Sequence, residues 1–350
     1  SYPVVQKSLD ATNWMFKSNG VAALFSKIKK HPNIKEVVSK CYYGVKTGLN
    51  EAFITFEDYN LDENIKRYFE GKDLKKWSIS KSEKKLIIFK SNSTKSQFGD
   101  LEESKAFEKM SSKYPELMNH LSAFETKAKK RYDKGNYWWE LRKCAYYELF
   151  EKPKIVFPNL QNNSKFSYDE SGAYINAPAV ILPTNDKALL AILNSKLVWY
   201  FLNQICVVRS GGYIEVKPQY FERIPIANYS KIKKKLSKKA DFQIEKTSAI
   251  QSKQTNFRRR LHENLGIEKM SKKLQRFWEY DFKTLLAELK KNKISLSLDK
   301  QDEWATYFDK NKAEIQSLQT EIDRTDAEID RMVYALYGLT DEEIQIVETS

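Results

Sequence analysis

The sequence predicts an α+β fold: a mixed α/β domain over residues 1–227, opened by a helical lead-in over 1–40, and a long, coiled-coil-like α-helical region over 228–350. Three observations carry this expectation. From Cys41 to Ala227, short β-branched and aromatic runs alternate with turn formers, the pattern of half-buried strands. Inside that region one apolar stretch, Ala188 to Val208, has helical spacing. Beyond Pro225 the chain reads as helix almost to its end.

The elements follow in order. Asn13 to Lys30 predicts a helix, with Val21, Leu24, Phe25 and Ile28 on one face, and His31-Pro32-Asn33 stops it because a residue before proline is driven out of the α region. Glu51 to Phe56, Lys85 to Phe89, Lys154 to Phe157, Tyr174-Ile175 and Val180 to Leu182 predict strands. Glu116 to Lys130 predicts a helix with Leu117, Leu121 and Phe124 on one side. Thr184 or Asn185 is placed to cap the next helix, Asp186 favours its positive end, and Leu189, Leu193, Leu197, Tyr200 and Phe201 line its inner face. Later, Phe282, Leu285, Leu286 and Leu289 share a face, and Ile315, Leu318, Ile322, Thr325, Ile329, Met332 and Leu336 form an a/d heptad seam over residues 315–336. Such a seam needs a covering helix, from this chain or another. Tyr337-Gly338-Leu339 ends the helix, and Thr340 with Glu343 reads as a capping box for a final short one.

Composition bounds the function. With 350 residues, 41% hydrophobic and 30% charged, the chain is globular and larger than one comfortable core. No stretch approaches the roughly 18 to 20 apolar residues of a membrane span. Cys41, Cys144 and Cys206 are too scattered for a disulfide framework, which favours a reducing, cytoplasmic setting. The opening at Ser1 rather than Met is what a piece of a longer protein would show. The net charge is +14, but residues 311–350 hold three basic and ten acidic side chains, a balance of −7 that leaves +21 on residues 1–310. That surplus, gathered on one face, predicts a polyanionic partner.

Catalytic parts are harder to find. The sequence has no glycine-rich cofactor turn, no Asn/Asp-Pro-Pro-aromatic loop and no Walker-type phosphate loop. Glu116, Glu125 and Lys127 loosely match a metal-dependent nuclease, yet they fall on helical pattern where that chemistry needs adjacent strands. His31, His120 and His262 stand apart from any nucleophile, so catalytic and metal residues are both expected to be none.

Basic residues interleaved with aromatics mark three segments instead. Lys127 to Lys143 holds seven basic residues, Arg131, Arg142 and Lys143 among them, with Tyr132, Tyr137, Trp138 and Trp139. Guanidinium groups read guanine edges or clamp phosphates, and the indoles either stack on bases or pack in a core. In Cys41 to Phe53, two glycines flank Lys46 and Thr47, with Asn50 close behind, so the loop either approaches a phosphate or fixes a turn. In Arg209 to Tyr220, Arg209, Tyr213 and Lys217 surround a glycine turn.

Together these segments resemble the C-terminal specificity domain of TaqI-like and related type IIG restriction-modification enzymes. The matching pieces are Tyr43-Gly-Val-Lys-Thr-Gly-Leu-Asn-Glu-Ala-Phe53, Arg131-Tyr132 with Tyr137-Trp138 and Leu141-Arg142, Lys152 to Ile155, Leu193 to Lys196, Lys217 to Ile226, and the tail from Glu321 to Thr340, so the likeness spans nearly the whole chain. It is similar also to the target-recognition domains of type I specificity subunits. The resemblance implies recognition of double-stranded DNA and carries over Lys46, Thr47 and Asn50 by position; the charge of Arg142, Lys143, Arg209 and Lys217, and the basic-aromatic segments holding Arg131, Trp138 and Tyr213, add these to the expected DNA-binding residues. It implies too that an adenine methyltransferase using S-adenosylmethionine, and a nuclease using Mg2+, lie in regions this chain lacks, joined in cis or in trans. A second expectation is an assembly subunit holding such a partner in trans through the helical region.

Overall fold

Eleven strands and a series of helices make up the computed structural model, which describes residues 19–61 and 63–350. The expected lead-in helix runs Asn19–Ile28, and its portion over 13–18 lies outside the described residues, as does the rest of 1–18. The strands are β1 Tyr42–Tyr43, β2 Ile54–Thr55, β3 Ile65–Phe69, β4 Lys85–Ile87, β5 Lys154–Phe157, β6 Leu160–Gln161, β7 Ser167–Asp169, β8 Tyr174–Ile175, β9 Val180–Pro183, β10 Val207–Arg209 and β11 Tyr213–Glu215. They form three small sheets, ordered β1-β9-β5-β7, β10-β11-β6 and β2-β4-β3-β8. The fold is thus α+β with a long helical end, as the sequence predicts.

The first sheet divides the core. On β5, Ile155 and Phe157 face a cluster shared with the following helices, while Val156 faces a second cluster with Trp138, Trp139 and Tyr174. Alternation on a strand buried on both faces produces this split. The only charged residue on β5, Lys154, is itself fully buried and pairs with Asp169 on β7.

Four local expectations need correction. Residues 50–53 form a helical turn, Asn50–Phe53, and only Ile54–Thr55 of the expected 51–56 strand is extended. The Thr47 hydroxyl accepts the Leu49 N–H and donates to Asn50 Oδ1, which starts a turn where residue preference favours a strand. The apolar stretch after Pro183 is two helices, Lys187–Leu193 and Lys196–Ile205, because Ser195 caps the second through Val198 N–H. The first is capped by Asp186, which accepts from Ala188 and Leu189, in place of Thr184 or Asn185. The expected 116–130 helix is likewise two, Pro115–Ser122 and Glu125–Lys129.

After Ser230 two long helices pack antiparallel: Lys233–Leu265, 33 residues, and Leu298–Tyr337, 40 residues. The seam is covered from within the chain, since Ile315, Ile322 and Ile329 are each at most 5% exposed. Lys239, Lys246 and Lys253 meet Glu328, Glu321 and Glu314, an ion pair at every seventh residue. A separate apolar cluster around Phe257, Phe277 and Phe308 fills the far end. Gly338 takes the left-handed conformation at φ 63, and Thr340 and Glu343 form the capping box. Among the described residues no helix is long and apolar enough to cross a membrane.

The helical pair is tied to the α+β part by two aspartates. Asp326 accepts from the Trp77 indole at 3.0 Å, from Lys76 at 2.7 Å and from the Gln243 amide at 2.7 Å. Asp330, 6% exposed, accepts the Lys196 N–H at 2.8 Å. Burial pushes the Asp330 carboxyl up to about 6 despite that hydrogen bond. Its folded value lies above the unfolded value of about 3.9, so the folded state holds the proton more tightly and stability is lost as pH rises from about 4 through 6. Asp330→Asn keeps an acceptor for Lys196 and removes the buried charge. Urea unfolding should show the variant more stable by about 1–2 kcal/mol near pH 8, with the gain vanishing below about pH 4. A variant less stable than wild type near pH 8 contradicts this account.

Candidate nucleic-acid interface

The loop Gly44 to Asn50 lies at the junction of two sheets and can follow only one path. A Cβ on Gly44 would sit 2.3 Å from the Ile175 carbonyl oxygen, so only glycine lets the loop lie against β8. Gly48 adopts φ +70 and has the Asp133 Cβ within 3.2 Å of where a Cβ would stand. The loop floors an open depression of about 620 Å³, lined by Lys46, Gly48, Asn50, Tyr68, Asp133 and Asn176. Lys46 and Asn50 are exposed there.

Arg131 holds this loop from beneath. Its guanidinium donates to the carbonyls of Thr47, Asp133, Trp138 and Glu140, its Nε to Ala128, and its Cζ lies 4.3 Å from the centre of the Phe53 ring. Only 6% of the residue is exposed, and burial pulls the guanidinium down to about 10, opposed by the charge of Asp133. Trp138, 2% exposed, packs against Phe107 and edge-on to Trp139. Thr47 is 1% exposed and spends its hydroxyl on the turn. These three residues, expected at the DNA surface, are interior. The run turns inward because the Arg131 guanidinium supplies donors to the carbonyls of Thr47, Asp133 and Trp138, and adds one to the Glu140 carbonyl that already accepts the Gly135 N–H.

The remaining candidates do face outward. Arg142 is half-exposed and reaches Asp133 at 3.4 Å, which puts it on the rim of the depression. Lys143 is exposed beside it. Tyr43, at the start of the Lys46 loop, lies near enough to Lys217 and Glu215 to feel their charges: burial raises its phenol, Lys217 lowers it and Glu215 raises it. The β10–β11 hairpin stands out from the surface: Val208 is 67% exposed, Arg209, Ser210, Gly211 and Gly212 are exposed, and Lys165 lies 5.8 Å over the Tyr213 ring.

Glu215 controls the hairpin's charge, and sequence reading passed over it. It binds Arg209 through Oε2 at 2.5 Å and Lys217 through Oε1 at 3.2 Å, with the Asn159 amide also donating. The Arg209 hydrogen bond keeps its carboxyl below the usual range. Alternation of basic and acidic residues at 209, 215 and 217 is the signal that could have found it. Tyr43, Asp133 and Asn176 were also missed, and nothing local in the sequence marks them as neighbours.

Three segments separated in sequence thus become neighbours: Arg142 meets Asp133 on the rim of the depression, Asp133 lines it together with the Lys46 loop, and that loop's Tyr43 is close to Lys217 and Glu215 of the hairpin segment. Glu116, Glu125 and Lys127 fall on helices: Lys127 pairs with Glu51, which itself lines the depression, and Glu125 pairs with Lys129. Among the described residues no group of three or more His, Cys, Asp or Glu could hold a metal. Residues 66–226 match the family described as the TaqI-like C-terminal specificity domain, and residues 229–333 match a domain of unknown function, DUF8810. The matched specificity span is narrower than the resemblance drawn from motifs, since the Tyr43–Phe53 loop precedes it. No curated protein matches the chain.

The two kinds of basic residue separate by experiment. Arg131→Ala should cost about 3–5 kcal/mol in urea unfolding, because it strands buried carbonyls. Lys46→Ala, at an exposed position, should change stability by less than about 0.5 kcal/mol. Equal stability losses in the two variants contradict the division.

Proposed function

We propose that this chain reads a specific sequence of double-stranded DNA, with residues 1–227 as the reading part and 228–350 as a helical spacer. The observation that supports it most is the convergence of the Lys46 loop, the Arg142 rim and the Arg209 hairpin into neighbouring positions within and beside a TaqI-like specificity domain. In this reading the hairpin tip, where Arg209 pairs with Tyr213 beyond the residues of β11 that pair with β6, presents those two side chains to base edges. Lys46, Asn50, Arg142, Lys143 and Lys217 contact phosphates and fix the register.

Glu215 then acts as an internal stand-in for phosphate. Off DNA it satisfies Arg209 and Lys217; on DNA the two cations exchange it for the duplex. The exchange favours sites where Arg209 finds a base acceptor as well, which converts a neutralised hairpin into a selective one.

The recognised sequence directs adenine methylation, cleavage or both, performed by a methyltransferase or nuclease region in cis or in trans. S-adenosylmethionine and Mg2+ belong to those regions. The seam at 315–336 is already covered by this chain's own helix, so docking of such a region in trans has to use another surface.

Selection from a random duplex library with this chain should enrich one sequence, and log K should fall linearly with log salt. The double variant Arg209→Ala, Lys217→Ala should lose at least about tenfold in affinity for that sequence. Glu215→Gln should bind random duplex several-fold more tightly and steepen the salt slope by about one. Absence of duplex binding at low salt, or binding without enrichment, overturns the proposal.

A further inference from the structure

The lysines of the helix Lys233–Leu265 and the turn Ser230–Ile232 before it fall into two sets. Lys233, Lys239, Lys246 and Lys253 are each matched by a carboxylate: Asp186, Glu328, Glu321 and Glu314. Lys231, Lys234, Lys235 and Lys238 are exposed, and among the described residues none has a carboxylate within ion-pair distance. Their spacing of three, one and three places them on one face, opposite the buried Leu236, Ala240 and Gln243.

We propose that these four lysines form a second DNA contact, a sequence-independent stripe for the backbone phosphates of duplex flanking the recognised site. The inference rests on the DNA-reading function above and gives the region of unknown function a task of its own.

Helix stability does not account for the stripe. The first turn holds no acidic residue, and cations there oppose the helix dipole, so these lysines weaken the helix that carries them. Nor does the stripe have the composition of a protein-docking surface, whose core is aromatic and poor in lysine. Lysine is a hydrated point charge on a flexible stem, suited to phosphates whose exact positions vary with sequence. The seven-residue step from Lys231 to Lys238 spans about 10 Å at a rise of about 1.5 Å per residue. That length faces about three phosphates of one strand at about 3.4 Å of axis each. The foot of the stripe is fixed in place, since Lys233 and the Tyr229 hydroxyl both bind Asp186.

The test uses the full chain carrying Lys231→Gln, Lys234→Gln, Lys235→Gln and Lys238→Gln together. Fluorescence anisotropy is read against a long random-sequence duplex, a long duplex containing the selected sequence, and poly-glutamate. The expected result is a salt slope shallower by about 2–4, at about 0.9 per phosphate contact, with at least tenfold weaker binding to both duplexes and an unchanged ratio between them. The melting temperature should stay level or rise, because cations leave the positive end of the helix. Unchanged affinity and slope on both duplexes overturn the stripe, while loss of binding in Arg209→Ala, Lys217→Ala would leave the reading function standing. Loss of poly-glutamate binding with DNA binding intact also overturns it, and assigns the stripe to an acidic protein partner. If wild type binds no duplex at all, both proposals fall.

Discussion

The surface around the Lys46 loop depends on how an irregular stretch of backbone is satisfied without a ladder. Residues 130–142 have no regular strand partner, and two buried side chains do the work of a sheet. Arg131 collects carbonyls from Thr47, Asp133, Trp138 and Glu140. Glu140, with no exposed surface, collects the N–H groups of Asn92, Thr94 and Asn136. Each charge is spread over several peptide dipoles, which offsets desolvation more evenly than one opposite ion would. The arrangement fixes the Lys46 loop to the Asp133 rim, so the exposed candidates inherit their positions from residues that touch no ligand.

The basic surplus has several uses, and only some of it is free for a polyanion. Lys239, Lys246 and Lys253 are consumed in the ladder with the acidic helix, which explains why the −7 of the tail sits where it does. Lys154 is fully buried with Asp169. At the hairpin Glu215 cancels much of Arg209 and Lys217. Net charge thus overstates the attraction available at the reading site, and what remains unmatched is concentrated on exposed positions such as Lys46, Lys143 and the stripe at 231–238.

What the sequence made legible was local. The β5 strand, the seam at Ile315, Ile322 and Ile329, and the Thr340 capping box follow from periodicity and near-neighbour chemistry, and each stands where expected. The helical turn at Asn50–Phe53 and the break at Asn194-Ser195 were missed, because a single hydroxyl decided each against the surrounding pattern. Arg131 and Trp138 were misplaced for a deeper reason. An arginine-tryptophan cluster has the same sequence signature whether it faces DNA or a core, and the deciding acceptor, the carbonyl of Thr47, lies far away in the chain. Exposed members of these segments were legible by charge, while their adjacency was not.

The helical region is locked to the α+β part. Asp326 is shared by Lys76, Trp77 and Gln243, Asp330 holds the first N–H of the helix Lys196–Ile205, and the Gln251 amide reaches Ser78 at 2.9 Å. These contacts cross the change of composition at residues 227 and 228. A force applied to the stripe at 231–238 therefore passes through packed helices to the segment that leads into the β10–β11 hairpin, with no flexible linker to absorb it. Under the proposed function, phosphate contact on the arm would restrict the angle at which the hairpin meets a groove. A register that suits both surfaces gains from each, and one that suits only the hairpin forfeits the arm, so rigidity lets a sequence-blind contact sharpen a sequence-reading one.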